Sequence, residues 1–309
     1  MSTKGFDIIV ITGPTATGKT RLAALVASRL GSEVISADSR QVYRGMDLGT
    51  GKDMSDYIVD GKIIPCHLVD IADAGYRYNV YEYQRDFFRV YNEMRSLNLL
   101  PVVCGGSGMY VDSIVSGYKL IQVPVNDTLR MQLEQKSLQE LTAILSGYKR
   151  LHNSTDVDTV KRAVRAIEIE EYYRSREAPD FTLPEINPLI VAIMFDRETR
   201  RQRISLRLRE RFENGMAEEV QRLLDSGIHP DDLIYYGLEY KYITLYLIGS
   251  LSYDEMFARL ETEIHRFAKR QMTWFRGMER RGIKINWIDG SMPENEKVDL
   301  VIKMTGRQA

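Results

Sequence analysis

Apolar residues at the start of the chain fall into short unbroken runs, separated by longer stretches in which polar and apolar positions mix. Asp7-Ile8-Ile9-Val10-Ile11 is β-branched and ends at a glycine-bearing turn, as expected of a parallel strand buried on both faces. Apolar spacing at Leu22, Leu25, Val26 and Leu30 predicts a helix from Lys19 to Leu30. Glu33 to Ala37 forms a second short strand pattern that ends on Asp38. A helix rich in Tyr, Phe and Arg is predicted over Val80 to Leu97, then a buried strand from Leu100 to Cys104 that ends on Gly105-Gly106. Leu189 to Phe195 and the weaker pattern of Ile283 to Ile288 add further strands. Strands alternating with helices predict an α/β fold, a parallel sheet covered on both faces.

From Ser116 to Pro188 the pattern changes. Helical periodicity runs over Asp127–Gly147 and Asp156–Arg174, then a linker carries Pro179, Pro184 and Pro188, with no strand run. The stretch reads as a helical insertion between two strands of the core, dividing the chain into 1–115, 116–188 and 189–309. Glu198 to Leu224 and Ser252 to Arg281 are again helical and rich in arginine. Phe267, Met272 and Phe275 lie at helical spacing and are expected to pack inward.

Composition narrows the possibilities. At 309 residues and 44% hydrophobic, with both charge signs mixed throughout, the chain suits one or two folded units. A net charge of −1 means that any nucleic-acid partner must be met by a local basic surface. From Ile264 to Lys284 there are seven Lys or Arg residues against one acid, Glu279, with Phe267, Trp274 and Phe275 interleaved. That composition suits RNA contact. No apolar run approaches the ~20 residues of a membrane span, so no membrane partner is expected. The chain opens directly into a strand without a signal pattern, and Cys66 and Cys104 lack metal or redox spacing. A reducing compartment, the cytoplasm, is expected. None of His67, His152, His229 and His265 has metal-ligand spacing, and His67 reads as structural.

Gly13-Pro14-Thr15-Ala16-Thr17-Gly18-Lys19-Thr20 fits G-x-x-x-x-G-K-S/T, with the required strand before it and helix after it. Backbone N–H groups of such a loop meet phosphate oxygens at a helix N-terminus. Lys19 adds a compact cation, and the Thr20 hydroxyl can hold Mg²⁺. The core is thus expected to be P-loop NTPase-like. Nucleotide hydrolases usually organise Mg²⁺ with an aspartate at the end of another apolar strand. Here Val102-Val103-Cys104-Gly105-Gly106 offers no acid, and the nearest are Asp38 and Asp70. Strand carboxyl ends face the ligand crevice in open α/β sheets. Asp38 could there accept a proton, organise metal-bound water, or cap the next turn with Ser39.

Asp38-Ser39-Arg40-Gln41-Val42-Tyr43-Arg44-Gly45-Met46-Asp47-Leu48-Gly49-Thr50-Gly51-Lys52 closely resembles a segment of the tRNA dimethylallyltransferase family. Gly105-Gly106-Ser107-Gly108-Met109-Tyr110 and Ala268-Lys269-Arg270-Gln271-Met272-Thr273-Trp274-Phe275-Arg276 resemble two more of its motifs, in the family's order. The resemblance covers nearly the whole chain. It implies transfer of a dimethylallyl group from dimethylallyl diphosphate to the exocyclic amine of an adenosine beside the tRNA anticodon. On that reading Gly13 to Thr20 and Ser107, where the family usually has threonine, hold the diphosphate. Asp38 is the general base, with Lys19 and Arg207, in a segment similar to the family's RIxxR, as catalytic partners. Mg²⁺ is the implied cofactor, with Thr20 as its ligand. The implied tRNA contacts are Asp38, Ser39, Arg40, Gln41, Ser107, Lys161, Arg162, Arg165, Lys269 and Arg270. A monomer is expected.

The chain departs from the family around Asn153-Ser154-Thr155-Asp156, at Gly237-Leu238-Glu239-Tyr240-Lys241 and at His265. Two other readings share the phosphate loop: a prenyltransferase acting on a free adenine nucleotide, and a small-molecule kinase. The insertion and the basic 264–284 segment favour tRNA.

Overall fold

The computed structural model describes residues 5–149, 155–175 and 183–306. His152, Asn153, Ser154 and Pro179 lie outside the described residues. Packing divides the chain into two compact units, Met1–Tyr118 with Pro184–Ala309, and Lys119–Leu183.

In the first unit the strands are β1 Ile8–Thr12, β2 Val34–Ser36, β3 Ile58–Val59, β4 Lys62–Ile63, β5 Cys66–His67, β6 Val102–Cys104, β7 Pro188–Met194 and β8 Asn286–Asp289. Six of them form one sheet in the order β5-β2-β6-β1-β7-β8, with every neighbouring pair parallel. β3 and β4 form a separate antiparallel hairpin, absent from the sequence expectation because each strand is only two residues long. Ile9 lies between Val102 and Leu189, which places β1 and the loop that follows it at the centre of the sheet.

The period of two decides the packing. Ile9, Ile11, Val102, Cys104, Leu189, Val191 and Ile193 share one core with Leu22, Ala23 and Val26 of helix α1 (Lys19–Arg29). The alternate residues Ile8, Val10, Val103, Ile190 and Ala192 are also buried, so both faces of the sheet are covered. His67 accepts or donates a 2.6 Å hydrogen bond with Glu33, a structural role at the sheet edge.

Helices α2 (Val80–Ser96) and α3 (Gly108–Val115) also belong to the first unit, and Tyr83 of α2 stacks on Tyr110 of α3 at 4.0 Å. The second unit is built from α4 (Asp127–Leu133), α5 (Leu138–Tyr148) and α6 (Val160–Arg174). The expected single helix over 127–147 is two helices, because Ser137 caps a new one through a capping box with Glu140. Leu133, Leu141, Leu145, Ala163, Val164 and Ile167 form its core.

The chain returns to the first unit with α7 (Arg197–Glu213), α8 (Met216–Asp225), α9 (Pro230–Tyr235), α10 (Leu238–Leu247), α11 (Tyr253–Arg280) and α12 (Glu294–Met304). The helix expected over 198–224 is divided at Gly215, whose φ of 92° breaks the α7 backbone and begins α8. Pro188, expected in a linker, is the first residue of β7, where a missing N–H costs least. No helix of the described residues is long and apolar enough to cross a membrane.

Candidate active site

β1 delivers the chain into the loop 13–18, and α1 starts at Lys19. The loop is tied from several sides. Thr17 Oγ1 donates to the Pro14 carbonyl at 2.9 Å, and Arg203 Nε donates to the Ala16 carbonyl at 2.9 Å. The Thr15 N–H donates to Gln271 Oε1 at 2.9 Å, and the Thr15 hydroxyl meets the Arg207 guanidinium. Lys19, Thr20, Thr15, Asp38, Gln41, Thr50, Gly51, Arg207 and Arg211 line one polar cleft beside the loop, with Cys104 and Gly105 at the end of β6.

The carboxyl ends of β2 and β6 form the adjoining wall. A side chain at Gly105 would come within 2.1 Å of the Ala37 carbonyl oxygen, so this close backbone approach admits only glycine. Asp38 follows β2, and its Oδ1 accepts the Arg40 N–H at 3.0 Å. The turn-capping role is therefore real, and it leaves the rest of the carboxylate on the cleft. Asp70, the other candidate acid, is ion-paired with Lys52 and does not line the cleft. Ser107 Oγ accepts the Ser39 N–H at 2.9 Å and donates to Ser39 Oγ at 3.1 Å, joining two of the predicted site residues.

The electrostatics are those of an anion site. Desolvation lowers the pKa of the Lys19 amine below 10.5; Cys104 and Asp38 oppose that shift, and Arg207 and Arg211 reinforce it. Burial presses the Arg207 pKa down to about 9, and the neighbouring Arg211 adds to the effect. The guanidinium remains charged at neutral pH. Three cations thus converge on one small volume. Arg211 lies 3.7 Å from Glu239, whose pKa burial raises against the pull of Arg211 and Arg207. Burial pushes the Cys104 thiol up to about 12, so it stays neutral and is no nucleophile.

Sequence reasoning overlooks Arg211, Glu239, Gln271 and Glu219. Arg203, Arg207 and Arg211 recur every fourth residue, the spacing of one helix face turned to the loop. Gln271 and Glu219 are polar residues on otherwise apolar helix stripes, 7% and 3% exposed, and that anomaly is their signal.

The other predicted RNA contacts differ among themselves. Lys161 and Arg162 are exposed on α6, and Arg162 pairs with Asp158 one turn away. Arg165 is engaged inside the second unit, pairing with buried Glu168 and donating to the Val123 carbonyl at 2.9 Å. Lys269 and Arg270 are exposed on α11, whereas Arg281 of the same basic stretch is held by buried Asp112 at 2.5 Å. Met272 and Phe275 are buried, but Phe267 is 39% exposed, contrary to expectation, with Arg270 stacked 5.9 Å from its ring.

A phosphate loop, facing arginines and a strand-end carboxylate on a parallel sheet are the parts of a group-transfer enzyme. The sequence pattern of IPP transferases matches residues 41–278, and that of isopentenyl transferases matches residues 6–62. The chain is 62% identical to "tRNA dimethylallyltransferase 2" of Bacteroides fragilis (strain YCH46), over 97% of this chain and 98% of that one. It is 57% identical to "tRNA dimethylallyltransferase 1" of Parabacteroides distasonis, over 99% of each. Its structure matches that of the full-length tRNA isopentenylpyrophosphate transferase of Bacillus halodurans with a TM-score of 0.72 and 29% identity, covering 97% of this chain and 96% of that one. A eukaryotic dimethylallyltransferase acting on tRNA shares the fold, with a TM-score of 0.77 at 18% identity over 97% of this chain and 80% of that one. The chain belongs to the IPP transferase family.

Proposed function

We propose that this enzyme transfers a five-carbon dimethylallyl group from dimethylallyl diphosphate to the exocyclic amine of an adenosine beside the anticodon of tRNA, releasing diphosphate. One observation carries the reading of the site: Asp38 shares a cleft with Lys19, Arg207 and the phosphate loop. An adenine amine is a poor nucleophile because its lone pair is delocalised into the ring. The allylic carbon tolerates positive charge, so much of the barrier lies in charge gathering on the leaving group. Lys19, Arg207 and Arg211 line the cleft, and in this reading they and the loop amides stabilise that charge with little reorganisation. As the new C–N bond forms, the C–O bond breaks and its electron pair leaves with the diphosphate. Asp38 takes the amine proton, a step worth ~10²–10⁴-fold.

The hydroxyl of Thr20 and the carboxylate of Asp38 are hard oxygen donors on the same cleft, a set that suits Mg²⁺ held partly through water. Bound there, the ion would neutralise part of the diphosphate charge. Among the described residues no cluster of three His, Cys, Asp or Glu side chains is placed to hold a metal by itself.

A stacked base cannot reach Asp38, so the adenosine must be extruded into the cleft. Ser39, Arg40, Gln41 and Ser107 adjoin Asp38 and are the proposed contacts to the extruded nucleotide. Lys161 and Arg162 of the insertion, with Lys269 and Arg270 of α11, are the proposed contacts to the RNA backbone. In this reading the enzyme works as a monomer in the cytoplasm.

The test is incubation with dimethylallyl diphosphate, Mg²⁺ and unmodified tRNA, followed by mass analysis of the nucleosides. Prenyl-adenosine in tRNA is expected. A prenylated product formed only from AMP, or phosphoryl transfer from ATP without prenylation, would replace the reading with one of its competitors.

A further inference from the structure

Three consecutive backbone amides converge on a carboxylate supplied from 170 residues downstream. Glu219 Oε2 accepts the N–H groups of Asp47 at 2.9 Å and Leu48 at 2.7 Å. Its Oε1 accepts the Gly49 N–H at 3.0 Å and the Tyr240 phenol at 2.6 Å. Successive N–H groups of this kind form a nest that binds anions. Here the protein fills the nest with its own side chain, which is 3% exposed. Four charge-assisted bonds offset the desolvation of a buried carboxylate, and a neutral side chain would forfeit them.

The clamped turn leads into the cleft. The Gly51 N–H donates to the Leu48 carbonyl at 3.2 Å, and the Lys52 N–H to the Asp47 carbonyl at 2.9 Å. Thr50 and Gly51, which end the turn, line the cleft beside Lys19. Gly51 has a φ of 68°, and a side chain there would come within 1.8 Å of Arg211 Nη2, so the guanidinium rests directly on this backbone. Gln41 Nε2 donates to the Gly51 carbonyl at 3.3 Å. The ring of Tyr240 lies so close to Gly49 that a side chain there would meet it at 2.5 Å, and the adjacent Glu239 faces Arg211. At the far end, the buried Lys52 amine donates to the Tyr43 carbonyl at 3.0 Å and pairs with Asp47 and Asp70.

We propose that Glu219 is a positioning residue for the transfer reaction: by clamping residues 47–49 it fixes Gly51, and through Gly51 the Arg211 guanidinium, in the wall that receives the diphosphate. The proposal rests on the prenyl-transfer reading given above. It predicts a defect on the donor side of the reaction and not on the tRNA side.

The test is E219Q, which keeps the shape but places an NH₂ against backbone N–H groups. Y240F keeps the ring under Gly49 and removes one bond. For each variant, KM for dimethylallyl diphosphate, kcat, tRNA affinity and Tm are measured, with direct binding of inorganic diphosphate by calorimetry. E219Q is expected to raise the donor KM and the diphosphate Kd by about tenfold while tRNA affinity stays within about twofold. Y240F is expected to raise the donor KM by roughly two- to fivefold. Donor KM and diphosphate Kd unchanged in folded E219Q would overturn the proposal, and so would equal losses toward both substrates. Should E219Q fail to fold, Y240F decides, and an unchanged donor KM there overturns it. A wild-type protein that binds diphosphate but prenylates no tRNA would sink the function reading instead, and the diphosphate Kd values would still judge the clamp.

Discussion

The side-chain oxygen of Gln271 accepts the Thr15 N–H at 2.9 Å, and the amide nitrogen of the same side chain donates to the Gly106 carbonyl at 2.8 Å. One carboxamide thus ties the phosphate loop to the end of β6. Gln271→Leu keeps the bulk and leaves both backbone groups without their partner, at a cost of about 1–3 kcal/mol for each stranded group. Thermal melts should show the loss. Steady-state kinetics should show a rise in KM for dimethylallyl diphosphate, with tRNA affinity little changed.

Asp38→Asn keeps the acceptor that caps Arg40 but cannot take up a proton. Single-turnover prenyl transfer should fall by ~10²–10⁴-fold, with tRNA binding retained. A variant with wild-type turnover would remove Asp38 from the base role.

Lys19 illustrates a conflict between stability and function. Its folded pKa lies below 10.5, so the unfolded chain holds the proton more tightly than the folded one does. Stability therefore drops as pH falls from 10.5 through the folded pKa, and the penalty is complete below it. Lys19→Met removes it. The variant should melt at a higher temperature than wild type near pH 7, gain less stability from added diphosphate, and transfer no prenyl group.

Glu168 gives the second unit an acid limit. Burial pushes its pKa up, but the hydrogen bonds from Arg130, the Asn126 N–H and Arg165 outweigh burial and hold it below 4.5. The carboxylate therefore adds stability above pH 4.5, and that stability is lost as pH falls through the depressed folded value. Hydrogen exchange of residues 119–149 and 155–175 should accelerate on that descent, and Glu168→Gln should exchange quickly already at pH 7. Arg165→Ala should share this phenotype, because its guanidinium serves the fold of the unit.

Lys269 and Arg270 are exposed on α11 and available to phosphates. Replacing both with Ala should weaken tRNA binding and flatten the dependence of log K on log salt by roughly 0.7–0.9 for each phosphate no longer neutralised. An unchanged slope would mean that neither side chain meets the RNA backbone.

The phosphate loop and Asp38 were legible because their chemistry is local: a glycine-bearing turn between a strand and a helix, and an acid at a strand end. The groups that hold them in place were not. Gln271 and Glu219 act on backbone far away in the chain, and only packing of α8 and α11 brings them there. Arg207 was singled out by its motif, whereas its equal, Arg211, was hidden in an arginine-rich helix until the fold showed which face meets the loop. Phe267 marks the opposite error. It lies three residues past buried Ile264, yet the stripe turns toward Ala268 and leaves its ring outside. Helical spacing alone does not say where a stripe ends.

β1 sits between β6 and β7, whose paired residues begin at Val102 and Pro188. During synthesis the first strand emerges from the ribosome long before either neighbour exists. At about 5–20 residues per second, the wait for β7 is roughly ten to forty seconds. Through that interval an apolar strand has no partner on at least one side, and the nascent chain carries an adhesive segment that must be shielded. The last tie, Gln271, arrives later still. Any messenger truncated before its codon would yield a protein whose phosphate loop keeps its ties to Arg203 and Arg207 but loses the one that joins it to the end of β6.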